Sequence, residues 1–190
     1  MLKKNPSVSG FIISVLALMV AFGIYFLFLA KKNEYVVDNP TTNTYYFKIN
    51  GGEERIIAGG QSLKIDLRRG KNRVEVFDQD KKPLYDSTFQ VEKVRGLLNI
   101  SQSDYYINRQ YYGYGVDRDS LLAALPKTEI DGKKYYGNPI HFHNLYTEDF
   151  YYNVDEDYDK VIKNIDKLES RTKIFRKGDF LNYYNEYYKF

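Results

Sequence analysis

The chain has 190 residues with twenty tyrosines, no tryptophan and no cysteine, which excludes disulfides, thiol catalysis, a lipoprotein anchor and thiolate metal sites together. Its net charge of +3 sits at the front: four lysines and no acid fall in the first 32 residues, leaving 24 basic against 25 acidic residues in 33–190. That near-neutral remainder lacks the basic surface that phosphate backbones select, so no nucleic-acid partner is expected.

Residues 1–10 form a short tail carrying Lys3 and Lys4. From Phe11 to Ala30 the chain runs twenty residues without a charge, and Lys31 and Lys32 follow. A helix of that length spans the roughly 30 Å hydrocarbon core of a bilayer, so 11–30 is expected to be a transmembrane helix. The run exceeds the roughly 7–15 residues of a signal-peptide core, and it ends Phe28-Leu29-Ala30, with a ring where a peptidase wants a small side chain. An uncleaved signal anchor is the expectation, with a cleaved signal peptide as the alternative. The flanking lysines tie, and the free amino terminus breaks the tie toward the cytoplasm. The implied product is a single-pass membrane protein with an extracytoplasmic C-terminal domain and the lipid bilayer as one partner.

From Glu34 to about Val91 apolar residues alternate with polar ones, interrupted by turn residues every eight to twelve positions. Tyr45, Phe47 and Ile49 share one face of a strand, and Asn50-Gly51-Gly52 is a hairpin signal. Leu63, Ile65 and Leu67 alternate cleanly. Arg68-Arg69-Gly70-Lys71 reads as a solvated turn before Val74 and Val76. Such a series means antiparallel strands with one wet face, stacked as a β-sandwich over 34–115. The five apolar side chains from Leu63 to Val76 are expected in one shared core.

The stretch Tyr45–Val76 resembles the small extracytoplasmic β-sandwich modules of the PEGA type, related to transthyretin-like domains. The shared features are a strand ending Ile49-Asn50-Gly51, a Gly59-Gly60 turn, an alternating strand, and Arg69-Gly70-Lys71-Asn72-Arg73-Val74-Glu75-Val76. The naming Pro-Glu-Gly-Ala tetrapeptide is absent, with Ile57-Ala58-Gly59-Gly60 near its place. The resemblance implies a non-catalytic interaction module of a cell envelope, and it carries over no functional residue.

Leu97–Ser101 and Tyr105–Gly113 read as a further hairpin joining the sandwich. The latter holds tyrosine pairs, and alternation puts the members of each pair on opposite faces, so at most half can build a sugar-stacking platform. Asn99-Ile100-Ser101 is also a glycosylation sequon. Residues 116–190 read as a smaller α+β subdomain. It comprises a short helix over 119–125 stopped by Pro126, a hairpin on Asp131-Gly132, a helix from Asp155 to about Thr172, and a last helix begun by Asp179 with Phe180, Leu181, Tyr184 and Tyr188 as its stripe.

No nucleophile elbow, phosphate loop or dinucleotide fingerprint occurs, so no catalytic or cofactor-binding residue is assigned and no cofactor is expected. The two histidines, His141 and His143, share one face of a strand, which is one way to begin a metal site. Glu148, Asp149 or the Asp155–Asp159 run are the available third ligands, none in fixed register. That acidic run lacks the glycine and glutamate of a calcium loop, with Lys160 and Asp166 in their places. Three functions remain open: an anchored, non-catalytic module with a protein partner in the membrane or envelope, a glycan- or peptide-binding module using its tyrosines, and a metal-assisted enzyme centred on His141 and His143.

Overall fold

The computed structural model describes residues 6–25, 33–113, 117–160 and 168–187. The chain divides into two units, Met1–Asn33 and Glu34–Phe190. The first holds helix α1, Pro6–Ile24. Proline suits a first helical position because its φ is already helical and its missing N–H would go unused.

The transmembrane expectation over 11–30 is corrected here. Of the apolar run, 11–24 lies in α1, and fourteen residues rise only about 21 Å, short of a bilayer core. Residues 26–30 of the run lie outside the described ones. Among the described residues no helix is long and apolar enough to cross a membrane. The single-pass anchor, and the extracytoplasmic placement drawn from it, are therefore not supported.

The second unit contains β1 (Glu34–Asp38), β2 (Tyr45–Ile49), β3 (Arg55–Ile57), β4 (Ser62–Ile65), β5 (Gly70–Phe77), β6 (Pro83–Val91), β7 (Arg95–Asn99) and β8 (Tyr105–Tyr112). Helix α2 (Arg118–Ala124), β9 (Thr128–Ile130), β10 (Lys133–Tyr135), β11 (Ile140–Phe142), β12 (Tyr146–Thr147), β13 (Glu169–Arg176) and α3 (Lys177–Tyr187) follow. An outer sheet, β3-β2-β5-β6, stacks on a middle sheet, β12-β7-β1-β4. Their shared core includes Tyr35, Val37, Phe47, Ile57, Ile65, Leu67, Val74, Val76 and Leu98, with Leu63 half-buried against it. The alternating residues from Leu63 to Val76 thus point where the pattern placed them. Asn50 and Gly51 both adopt positive φ, 53° and 70°, as a tight turn after β2 requires.

Replacing Ile65 by alanine is expected to destabilise the protein by about 2–5 kcal/mol, because its side chain is buried between the sheets. Its strand neighbour Lys64 is exposed, and Lys64→Ala should change stability by under about 0.5 kcal/mol. Denaturant unfolding of the two variants checks the register; equal losses would contradict it.

The middle sheet is covered on both faces. Tyr35 and Val37 of β1 face the outer sheet, while Val36 joins Leu97, Tyr105, Ile107, Phe142, Phe150 and Ile174 in a second core. This core is closed by a third sheet, β11-β8-β13. The far face of that sheet carries Tyr106 and Phe175 against Ile130 and Tyr135 of the β9–β10 hairpin and Phe180 and Tyr184 of α3. The layers are therefore outer sheet, middle sheet, third sheet, then helix and hairpin.

Two expectations change at this level. The segment 97–113 is not a hairpin: β7 pairs with β1 in parallel, whereas β8 belongs to the third sheet. The expected helix over 155–172 is not found among its described residues: 156–160 are irregular and Glu169 begins strand β13, with 161–167 outside the described residues. The reason is pairing: all eight residues of β13 are in register with β8, from Glu169↔Tyr112 to Arg176↔Tyr105. Strands from both sides of residue 115 share sheets: β12 pairs with β7, and β11 and β13 flank β8. The short helix, the Asp131-Gly132 hairpin and the last helix lie where expected. Asp117 caps α2 by accepting from the Ser120 amide, and Tyr188 lies outside the described residues.

Candidate functional site

The two histidines do come together. His141 on β11 and His143 just beyond it stack with ring centroids 5.5 Å apart, both exposed. His141 Nε2 lies 2.7 Å from Asp104 Oδ1, and its ring also stacks on Tyr106. The expected third ligands are engaged elsewhere. Glu148 accepts from the backbone N–H groups of Glu92 and Lys93 and from the Tyr146 hydroxyl. Asp149 pairs with Lys93, and Glu156 with Arg95. Asp157 lies 3.7 Å from Lys173, and Asp159 accepts from the Tyr152 hydroxyl. Among the described residues no group of three or more His, Asp or Glu side chains is placed to hold a metal ion.

The sequon asparagine is spent as well. Asn99 is fully buried, its amide donating to the Ser103 carbonyl and its Oδ1 accepting from the Ser103 N–H. Tyr105 and Tyr106 are buried too, so neither can offer a ring face to a sugar.

A different feature stands out at the Tyr112 end of the third sheet, a cleft of about 940 Å³. The register explains it. Arg109↔Thr172 and Tyr111↔Ser170 lie on the same sheet face as Ile107↔Ile174. Ile107 and Ile174 are covered in the core beneath the middle sheet, but Arg109 and Ser170 are exposed and Tyr111 is half-buried. This uncovered stretch is the floor.

One wall is the segment 148–152. It is tied to β13 by the N–H groups of Tyr151 and Tyr152, which donate to the Thr172 carbonyl at 3.1 and 3.0 Å, and by the Ile174 N–H donating to the Tyr152 carbonyl. Its position is also fixed from behind. A Cβ on Gly96 would fall 2.0 Å from the Tyr146 hydroxyl oxygen, so glycine at 96 lets that ring lie flat on β7 and reach Glu148. The opposite wall runs from Gly137 to Ile140, where Gly137 and Asn138 adopt φ of 84° and 54°.

The chemistry of the cleft is aromatic and cationic. Arg171 donates from Nε to Gln110 Oε1 at 2.7 Å, and its guanidinium lies over the rings of Tyr112, Tyr152 and Tyr158. Arg109 donates to Ser170 Oγ, and Lys160 stands at the lip. Tyr151 is more than half exposed. Burial, and next the bond to Asp159, raise the Tyr152 hydroxyl above the usual phenol range, so it is a hydrogen-bond donor and not a base. Among the described residues lining the cleft, no nucleophile stands beside a general base. What the site can do is stack, hydrogen-bond and attract negative charge.

Sequence reasoning singled out the Tyr111-Tyr112 pair but not Arg109, Ser170 or Arg171, because 170 and 171 were read inside a helix. Comparison with protein-family models, with curated proteins and with solved structures finds no match.

Proposed function

We propose that this protein is a non-catalytic interaction module whose binding surface is the cleft at the Tyr112 end of the third sheet. The observation that carries this reading is the uncovered floor formed by Arg109, Tyr111, Ser170 and Thr172 between two walls, one of which bears the exposed Tyr151. Tyrosine offers large contact area with only two torsions to freeze, and arginine adds both charge and a planar stacking face. The likeness of Tyr45–Val76 to PEGA-type modules points the same way.

The test is site-specific photo-crosslinking in the native host. A photoreactive side chain at Tyr151 should capture a defined partner, and one at the exposed Leu84 of the outer sheet should not. Arg109→Glu should reduce the Tyr151 product by about tenfold, the scale of one lost charge-assisted contact. Replacing both histidines by alanine should leave it unchanged. Equal products from Tyr151 and Leu84 would overturn the proposal. So would stoichiometric zinc lost, together with a measurable activity, in the double histidine variant.

A further inference from the structure

We infer that the cleft takes an acidic peptide in extended conformation, added as a strand along the open edge of β8 from Asn108 to Tyr112. This inference rests on the cleft being the binding surface, and it names the occupant and the mode.

The edge is the first argument. The pairing of β8 with β11 runs only from Tyr105↔Phe142 to Ile107↔Ile140, whereas its pairing with β13 continues to Tyr112↔Glu169. On the β11 side, positions 108–112 therefore have no strand partner among the described residues. Residues of a paired strand turn their N–H and C=O groups alternately to either side, so two or three of these five present both groups to that edge. Five residues extend about 17 Å, enough for a bound strand of similar length.

The chain itself creates the vacancy. The left-handed φ values of 54° and 84° at Asn138 and Gly137 lie outside strand backbone just where β11 would otherwise continue along β8. A row of peptide donors and acceptors at strand spacing is matched by another peptide backbone. A glycan has no such repeat.

Charge supplies the second argument. Arg109, Arg171 and Lys160 line the cleft, and among the described residues none has a carboxylate partner; Arg109 and Arg171 bond to Ser170 and Gln110 instead. The three acids of the lining are already engaged: Glu148 by backbone N–H groups, Asp149 by Lys93 and Asp159 by Tyr152. An incoming acidic side chain meets unclaimed cations, while a basic one must displace existing bonds. In an added strand, alternate side chains would lie on the face of Arg109 and Tyr111 and the others on the face of Tyr112 and Arg171, with the 151–152 segment across the sheet beyond β13.

The experiment uses the full chain and fluorescent hexapeptides of alternating valine and glutamate, followed by anisotropy. The acidic peptide should bind, and its lysine counterpart should bind about tenfold or more weakly. Of two versions methylated at alternate backbone nitrogens, at least one should lose about tenfold, because its donors to β8 are blocked. Amide hydrogen exchange at 108–112 should slow on binding, and Arg109→Glu should weaken the acidic peptide alone. No binding of the acidic peptide, equal binding of the lysine peptide, or full affinity for both methylated forms without amide protection would overturn the inference. An anionic oligosaccharide competing at the cleft without protecting those amides would assign the site to glycans instead. In each of these cases the crosslinking at Tyr151 decides separately whether the cleft is a binding surface.

Discussion

Arg176→Ala is expected to destabilise the protein by about 3–5 kcal/mol, more than any single truncation in the outer sheet's cation-rich turns. Asp38 closes β1 with its carboxylate fully buried. That carboxylate accepts from Arg176 through Nε at 3.0 Å and through Nη2, and from the Tyr105 hydroxyl at 2.7 Å. The arginine sits on β13 and the aspartate on β1, so one fork of hydrogen bonds joins the middle sheet to the third sheet. The bond to Asp38 also holds the guanidinium charged well above its ordinary range. Removing it strands a buried anion with one remaining donor, and the penalty is mostly that unpaired charge. Replacing the whole network with apolar residues, Asp38→Leu with Arg176→Met and Tyr105→Phe, so that no buried donor is orphaned, should therefore recover much of the loss. Urea denaturation of the single and combined variants gives the coupling. A loss below about 1 kcal/mol for Arg176→Ala would mean that the pair behaves like an exposed one.

How much of this was legible in the sequence depends on whether a signal was local. The alternation from Leu63 to Val76, the Asn50-Gly51 and Asp131-Gly132 turns and the Phe180/Tyr184 stripe each encode a periodicity or a backbone conformation within a few residues, and the fold uses them as written. β1 gives a weaker signal because Tyr35, Val36 and Val37 are buried in succession, facing two cores, so period two disappears. β13 departs from its local pattern for a related reason. Tyr158, Val161, Ile162, Ile165 and Leu168 follow a helical period, but Glu169–Arg176 is claimed by β8 across more than fifty residues, and long-range pairing overrides local pattern. The apolar run at the N-terminus reads as a span from its length, its lack of charge and its flanking lysines, whereas helix α1 contains only residues 11–24 of it. The cleft was the least legible feature. It exists where β11 stops pairing, and only Gly137 and Asn138 hint at that in the sequence.

Alkaline unfolding is the second large effect expected, and the tyrosines set it. Tyr85, Tyr105 and Tyr146 have hydroxyls raised far above the usual phenol range, in each case first by burial. Each donates to an oxygen that would repel a phenolate: Tyr85 to the Ile100 carbonyl, Tyr105 to Asp38 and Tyr146 to Glu148. In the unfolded chain these groups titrate near about pH 10. Below that both states keep the protons, and the tyrosines' contribution to stability is fully present. Above it the unfolded chain releases protons that the folded chain retains, so stability falls by about 1.4 kcal/mol per pH unit for each such tyrosine. Three acting together remove about 4 kcal/mol within one unit, a large share of the roughly 5–15 kcal/mol that a domain possesses. Lys173 acts in the opposite sense, since burial lowers its pKa and its neutralisation favours the folded state, but that gain ends near its unfolded value of about 10.4. Circular dichroism and tyrosinate absorbance recorded together should show a cooperative transition above pH 10, in which buried tyrosines ionise as the sheets unfold. Tyr85→Phe with Tyr146→Phe should lower stability at neutral pH by about 1 kcal/mol per lost bond, yet flatten the alkaline fall. Smooth ionisation of all twenty tyrosines near pH 10 with the circular dichroism unchanged would show that these hydroxyls are not protected by the fold.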